Sequence, residues 1–436
     1  MLKKSALDYL QGDVLAKIMS FAALLVIGAW ASKEDIGIYN MMIFVAEMMA
    51  VFISFGADAA IVKFYREHAP AEVFNNYVFQ NTINVFMAAG VLFVIGNLFR
   101  EGNYQFILQH YFAILFLAIS LSISTIARAH MVSLHDSVGV KWFSIISGAL
   151  NLLSILFFAS MLGLTLFSLV ATRIISILIF VIFFAHLLLT LFDTKTVSIE
   201  LTKKMYRFSV PLLISALVGT LSVYMSRIVL AEYVSVYELG IFSFFLMLMV
   251  STSFLLHTFN QAWYPHLFDI HKSAGDDGLL IEINKKLHIV LKFSIVYITV
   301  SFLAYEISNH ISLDLNGYFK YRYILFILMD TLVFGVYYII INPLLYIKSK
   351  TTYVAYATVI TLISNFVISM GFVKLWGIYG ASISSVAISV IIFYLYKLFS
   401  QQIFQGKLIN EQNSWLMGLV FALMLGKYAY IYLLTV

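Results

Sequence analysis

Six ionisable residues, Lys17, Glu47, Arg173, Arg227, Asp330 and Lys427, sit inside stretches that are otherwise apolar, and Asp58, Arg128 and Glu306 lie near the ends of such stretches. A charge at the centre of a bilayer costs about 2.5–3.5 kcal/mol even on the permissive insertion scale, so it faces a cavity or a partner. Long side chains near an end snorkel to the interface instead; that reading suits Arg128 and Glu306, and serves Asp58 and Arg227 equally well as a functional one. Counted from the outward-facing ends of their spans at about 1.5 Å per residue, Lys17 lies ~21 Å deep, Glu47 ~15 Å, Arg173 ~14 Å and Asp330 ~10 Å. Two chemistries are open to these groups. One is a buried ion pair that fixes packing, with Lys17 meeting Glu47 across a short turn. The other is a water-filled cavity lined by cations, in which Glu47, Asp58 or Asp330 carries a proton or another coupling ion. Asn81 and Asn84 share a helix face at i, i+3 and, with Gln80, His257, Asn260 and Gln261, extend the polar path. Each of these alone reads first as a helix–helix hydrogen bond.

The elements that carry these groups follow from composition. Hydrophobic residues make up 62% of the 436 and charged residues 11%, with a mean hydropathy of +0.94. A soluble domain carries roughly 25% charge, so the solvent here is lipid. Disordered and nucleic-acid-binding classes are excluded on the same figures, and with no cysteine there is neither disulfide nor thiol chemistry. A bilayer core of about 30 Å takes ~20 apolar helical residues. Thirteen runs meet that length: 12–31, 37–60, 76–99, 104–127, 140–161, 164–190, 208–231, 238–260, 287–307, 323–346, 352–374, 377–398 and 414–435. The basic N-terminus with its apolar stretch 18–28 has some features of a signal peptide, but Asp8, Asp13 and Lys17 interrupt the approach and a retained first span is expected.

With the N-terminus inside, the outward segments hold only Lys33, Arg100, Lys320, Arg322 and Lys374, and nearly all other Lys and Arg fall inward. The loops are short, the longest being 261–286, and leave no room for a soluble catalytic domain. One phrase occurs twice: Ser32-Lys-Glu-Asp35-Ile-Gly37-Ile-Tyr39 and Ser235-Val-Tyr-Glu238-Leu-Gly240-Ile-Phe242, 203 residues apart, each entering a span from an outward loop. Six spans separate the two, an even number, so the halves keep one orientation. That is a parallel repeat, and transporters so built place their site between the halves. No H-E-x-x-H, G-x-S-x-G or P-loop is present, so no nucleotide machinery is visible.

Three stretches resemble a known family: the first span with Lys17, the S-K-E-D-I-G-I-Y-N turn, and the close of span two, Phe55-Gly-Ala-Asp58-Ala-Ala-Ile-Val-Lys63-Phe-Tyr65. Supporting pieces are Met225-Ser-Arg227-Ile-Val-Leu-Ala-Glu-Tyr233, Asn260-Gln-Ala-Trp-Tyr-Pro265 and Trp376-Gly-Ile-Tyr-Gly380. Together they are similar to the polysaccharide transporter family of lipid-linked oligosaccharide flippases (Wzx-type O-antigen translocases), in the MOP superfamily that also holds the MATE exporters. The resemblance implies an all-α polytopic membrane fold of two six-helix bundles, 1–195 and 208–400, joined by a cytoplasmic linker at 196–207. Residues 401–436 are then an extra C-terminal segment, either one span or a short hairpin around Lys427. It implies alternating access and a cargo of undecaprenyl-pyrophosphate-linked oligosaccharide, moved from the cytoplasmic to the outer leaflet of the bacterial inner membrane.

Lys17, Arg173 and Arg227, with Asn81 and Asn84, are then the substrate-binding residues. Glu47, Asp58 and Asp330 are the coupling residues, for H+ or Na+, with no cofactor and no metal. Membrane lipid is a partner, glycan polymerase and chain-length proteins are candidate partners, and nucleic acid is not. Two rivals remain. A cation-coupled multidrug exporter of the same superfamily would want a carboxylate-rich site for cationic drugs. An integral membrane glycan polymerase or ligase would want a sizeable outward loop.

Overall fold

A computed structural model describes residues 2–65, 67–98, 104–252, 254–310, 317–348, 350–404 and 408–435. All regular structure among them is helical. In chain order the helices are α1 (Leu2–Trp30), α2 (Lys33–Ser54), α3 (Ala57–Phe64), α4 (Pro70–Leu98), α5 (Phe106–Gln109), α6 (Tyr111–Ser133), α7 (Ser137–Met161) and α8 (Leu166–Leu191). There follow α9 (Ile199–Tyr233), α10 (Val236–Thr252), α11 (Phe254–Asn309), α12 (Arg322–Leu328), α13 (Thr331–Ile341), α14 (Pro343–Ile347), α15 (Thr351–Phe404) and α16 (Glu411–Thr435). Among the described residues, eleven stretches of helix are long and apolar enough to cross a membrane, and α10 is a shorter apolar helix. The chain is an all-α polytopic membrane protein.

The thirteen expected runs all fall on helix. Runs eleven and twelve are joined in α15 and divided only at Gly377, where φ is 54° and ψ −129°. Gly275 divides α11 in the same way, at φ 65°. The seventh run begins earlier than its hydropathy suggests, because α9 takes in residues 199–207 of the expected linker. The C-terminal segment is one unbroken helix, α16, and Lys427 does not turn it into a hairpin.

The chain divides into two compact units. The first comprises residues 1–224 and 235–243, the second 225–234 and 244–436. Within the first, α1 lies along α7 at close range. A Cβ on Gly12 would stand 2.8 Å from the Lys141 Cα, and one on Gly148 2.8 Å from the Ala16 Cα. Small residues let helices approach when lipid supplies no hydrophobic drive between them.

The repeated phrase builds the same cap twice. The Ser32 Oγ accepts from the Asp35 N–H at 3.0 Å and donates to its carboxylate at 2.8 Å. The Ser235 Oγ likewise accepts from the Glu238 N–H at 3.3 Å, while the Glu238 carboxylate takes the Ser235 N–H at 3.1 Å. Both helix starts belong to the first unit, and they pack on each other through the two glycines of the phrase. A Cβ on Gly37 would meet the Val236 carbonyl at 2.5 Å, and one on Gly240 the Lys33 carbonyl at 1.7 Å. The Lys33 ammonium rests over the Tyr237 ring, 5.1 Å from its centroid.

Gly240→Val is expected to cost about 1–3 kcal/mol or more by overpacking and to lower the thermal midpoint of the purified protein. Gly90, whose Cβ would meet nothing within 4 Å, is the control. Gly90→Ala should leave the midpoint in place or raise it, by about 0.4–1 kcal/mol at most. Equal midpoints for both variants would contradict the packing described.

Candidate functional site

Amide and tyrosine side chains of the first unit gather around a break in its second span. α2 ends at Ser54, and Phe55 and Gly56 both take left-handed conformations, with φ of 50° and 75°. A left-handed non-glycine residue costs roughly 1–2 kcal/mol, and here neighbours hold it. The Phe55 ring meets the Tyr206 ring edge-on at 5.0 Å. The break also takes the helical donors away from the last carbonyls of α2, and α4 replaces them. The Asn84 Nδ2 donates to the Ile53 carbonyl at 3.0 Å and the Tyr77 hydroxyl donates to that of Ser54. The Tyr206 hydroxyl completes the arrangement by donating to the Asn84 Oδ1 at 2.8 Å.

Asn84 is therefore engaged at both ends of its amide. Asn81, one turn earlier, accepts from the Ser122 hydroxyl at 3.2 Å. Gln80 is fully buried on the same helix, and neither of its amide atoms has a partner among the described residues.

Glu47 is half-buried on α2. Its Oε2 accepts from the Tyr224 hydroxyl on α9 at 2.9 Å, and the Tyr224 ring lies against Phe44, centroids 4.9 Å apart. Tyr39, two turns before Glu47, is close enough to interact electrostatically with both Glu47 and Arg173 of α8. Arg173 is half-buried and in no ion pair among the described residues. Glu47 and Tyr224 are thus joined directly inside the membrane-spanning part of the first unit, and Glu47 and Arg173 both lie within electrostatic reach of Tyr39.

Lys17 does not meet Glu47. It is exposed on α1 and in no ion pair among the described residues, because α1 lies along α7 and Glu47 is held by Tyr224. Arg128 pairs instead with Asp13 on α1, at 3.2 Å on an exposed face. Arg227 is buried in α9, 5% exposed, in the part of that helix assigned to the second unit. The side chains of Asp58, His257 and Gln261 lie outside the described residues.

Asp330 is far from bare. It is fully buried in the second unit between α12 and α13, with the Lys427 ammonium 3.0 Å from its carboxylate and the Tyr428 hydroxyl donating to it at 2.8 Å. Tyr39, Tyr77, Tyr206 and Tyr224 were not singled out from the sequence. A tyrosine in an apolar span carries no signal of which hydroxyl will find a carboxylate. Lys427 was visible as a charge in the last span, but nothing in its neighbourhood names Asp330, 97 residues away, as its partner.

Long apolar helices, helix breaks stapled by side chains and charges kept inside the spans define a multi-pass membrane protein with an all-helical fold. Solved structures share it: an inward-facing multidrug resistance MATE family transporter of the MOP superfamily has a TM-score of 0.69 at 14% identity, covering 92% of this chain and 98% of that one. The lipid II flippase MurJ in an inward closed conformation has a TM-score of 0.66 at 14% identity, covering 96% of each chain. A family model described as polysaccharide biosynthesis protein matches residues 2–271, and the chain belongs to that family. Capsular polysaccharide biosynthesis protein CapF of Staphylococcus aureus is 25% identical over 269 residues. The match takes in 60% of this chain and 64% of that relative, just under two thirds of its length.

Asn84→Leu should strand the Ile53 carbonyl and the Tyr206 hydroxyl together, costing about 1–3 kcal/mol, against about 0.5–1.5 kcal/mol for Tyr206→Phe. Thermal unfolding of the two purified variants measures the order. A neutral Asn84→Leu would show that the break does not depend on this amide.

Proposed function

We propose that the chain is a flippase for undecaprenyl-pyrophosphate-linked oligosaccharide, an O-antigen repeat or a similar unit. It carries this cargo from the cytoplasmic to the outer leaflet of the bacterial inner membrane by alternating access, with the N-terminus on the cytoplasmic side. The observation that carries the reading is Arg173, a guanidinium inside a spanning helix with no carboxylate in ion-pair range among the described residues. A cation kept there without an acidic partner takes its counter-charge from a ligand. Pyrophosphate is a dense anion that a guanidinium grips by charge-assisted hydrogen bonds, and the attraction strengthens as the local dielectric falls.

Lys17, exposed on α1, gives the phosphates a second cation. Asn81 and Asn84 shape the polar wall beside them. Membership of the polysaccharide biosynthesis family supports a saccharide cargo, and the fold shared with a lipid II flippase supports a lipid-linked one. Glu47 is the group best placed to couple transport to an ion. Its carboxylate lies, like Arg173, within electrostatic reach of Tyr39, and Tyr224 holds one of its oxygens. Asp58, just past the break, is a second carboxylate for the same task.

Complementation of a flippase-deficient strain tests the reading. Arg173→Ala and Lys17→Ala are each expected to abolish surface glycan while the protein still reaches the membrane, as judged by immunoblot. Normal surface glycan in both variants overturns the cationic site. In vesicles, Glu47→Gln should flatten the response of transport to pH. A variant that responds to pH as the wild type does would speak against proton coupling through this residue.

A further inference from the structure

The second unit holds a charged site that the proposed transport does not use. The span 319–347 is broken at Met329–Asp330, where the Asp330 N–H donates to the Ile327 carbonyl, three residues back. The Phe326 carbonyl, four residues back, is thereby left for another donor. Lys427 reaches in from α16 and takes it, with Nζ 2.8 Å from the Phe326 oxygen, 3.0 Å from both Asp330 oxygens and 3.0 Å from the Ser301 hydroxyl. The lysine is 3% exposed, Ser301 8% and Asp330 fully buried.

Nothing in this set of oxygens is particular to lysine. A carboxylate, a hydroxyl and a main-chain carbonyl freed at a helix discontinuity are the ligands that hard cations take in proteins, and carbonyls of broken membrane helices hold coupling ions in transporters. One more oxygen is at hand. Tyr297 lies within electrostatic reach of Asp330, and its buried hydroxyl has no partner among the described residues. A pocket of about 180 Å³ opens beside it, with Ser294, Leu332 and Val333 in the wall.

We infer that Asp330, Ser301 and the Phe326 carbonyl form a monovalent-cation site, and that the chain fills it with its own tethered ammonium, Lys427. The ammonium supplies the one positive charge that the buried carboxylate requires, so the site takes no ion from solution. The polar contacts nearer the start of α16 keep the tether in place. Asn413 donates to the Asn284 carbonyl at 2.9 Å, and Asn284 donates to that of Leu408 at 2.9 Å. The Tyr379 hydroxyl holds the Tyr428 carbonyl, next to the lysine, at 2.6 Å.

Lys427→Met tests this on the full-length purified protein, since methionine keeps most of the apolar stem and leaves out the ammonium. Thermal midpoints are compared in sodium, potassium, ammonium and choline chloride at equal ionic strength. The wild type should give the same midpoint in all four. Lys427→Met should unfold earlier in choline and be raised, saturably and by about 4 °C or more, by at least one of the small cations. The double variant Lys427→Met/Asp330→Asn, which removes both charges, should fold and show no such rise.

If Lys427→Met cannot be recovered in choline, its recovery in one of the small cations is the same result. The inference is overturned if no small cation distinguishes Lys427→Met from its behaviour in choline. It is overturned equally if the wild type or the double variant responds as strongly as Lys427→Met. None of these readouts involves transport, so the flippase reading stands or falls separately.

Discussion

Lipid offers the main chain no hydrogen bonds, so wherever a helix of this protein breaks, a side chain must take the place of water. The break after α2 frees the carbonyls of Ile53 and Ser54, and Asn84 and Tyr77 take them. The break before α13 frees that of Phe326, and Lys427 takes it. Near the second break in that span, before Pro343, the Trp263 indole donates to the Ile340 carbonyl at 3.2 Å. Even the turn between α8 and α9 is served from α4, where Asn75 donates to the Leu191 carbonyl and Asn76 accepts from the Ser198 N–H. The polar residues of the spans are in large part the cost of irregular backbone in a dry solvent.

That cost divides the polar residues by what remains of them. Asn76 and Asn84 have both the nitrogen and the oxygen of the amide engaged within the protein, and the Asn75 nitrogen donates twice. Lys427 and Asp330 balance each other. Arg173 and Lys17 are in no ion pair among the described residues, and Glu47 has one oxygen held by a tyrosine hydroxyl rather than by a cation. A polar group already satisfied by the protein gives up a bond before it can grip a ligand, and net binding falls accordingly. The groups with spare capacity are therefore the ones on which the proposed cargo depends.

The spans were legible in the sequence because their signal is length and apolarity, which lipid imposes on every one of them. The repeated phrase was legible too, since Ser32 with Asp35 and Ser235 with Glu238 are local, three residues apart. What escaped was irregularity and distance. Nothing around Phe55 marks it as left-handed, and the Tyr206 ring that supports it is 151 residues further on. Gly377 and Gly275 read as ordinary glycines until the backbone gives them positive φ. Lys17 and Glu47 read as neighbours because their spans are consecutive, yet α1 follows α7, where Gly12 and Gly148 give it a closer fit. Depth alone ranked Arg173, Glu47 and Asp330 as charges of one kind. Only their partners separate Asp330, closed by Lys427, from the other two.

This separation has a physical logic. A salt bridge as dry as Lys427–Asp330 leaves a bare charge if either partner moves away, at a cost of about 3–5 kcal/mol. Such a pair is suited to a place that keeps its geometry while the rest of a transporter changes shape, and the asparagine and tyrosine contacts of α16 fit that role. Arg173 is in the opposite situation. Its charge is only half-buried, so water can stabilise it when no cargo is bound, and a phosphate can displace that water when cargo arrives. A guanidinium locked to a carboxylate could not make the exchange without losing the pair. In the proposed reading, one closed cation and one open one would let a single chain hold its shape in one unit and bind an anion in the other.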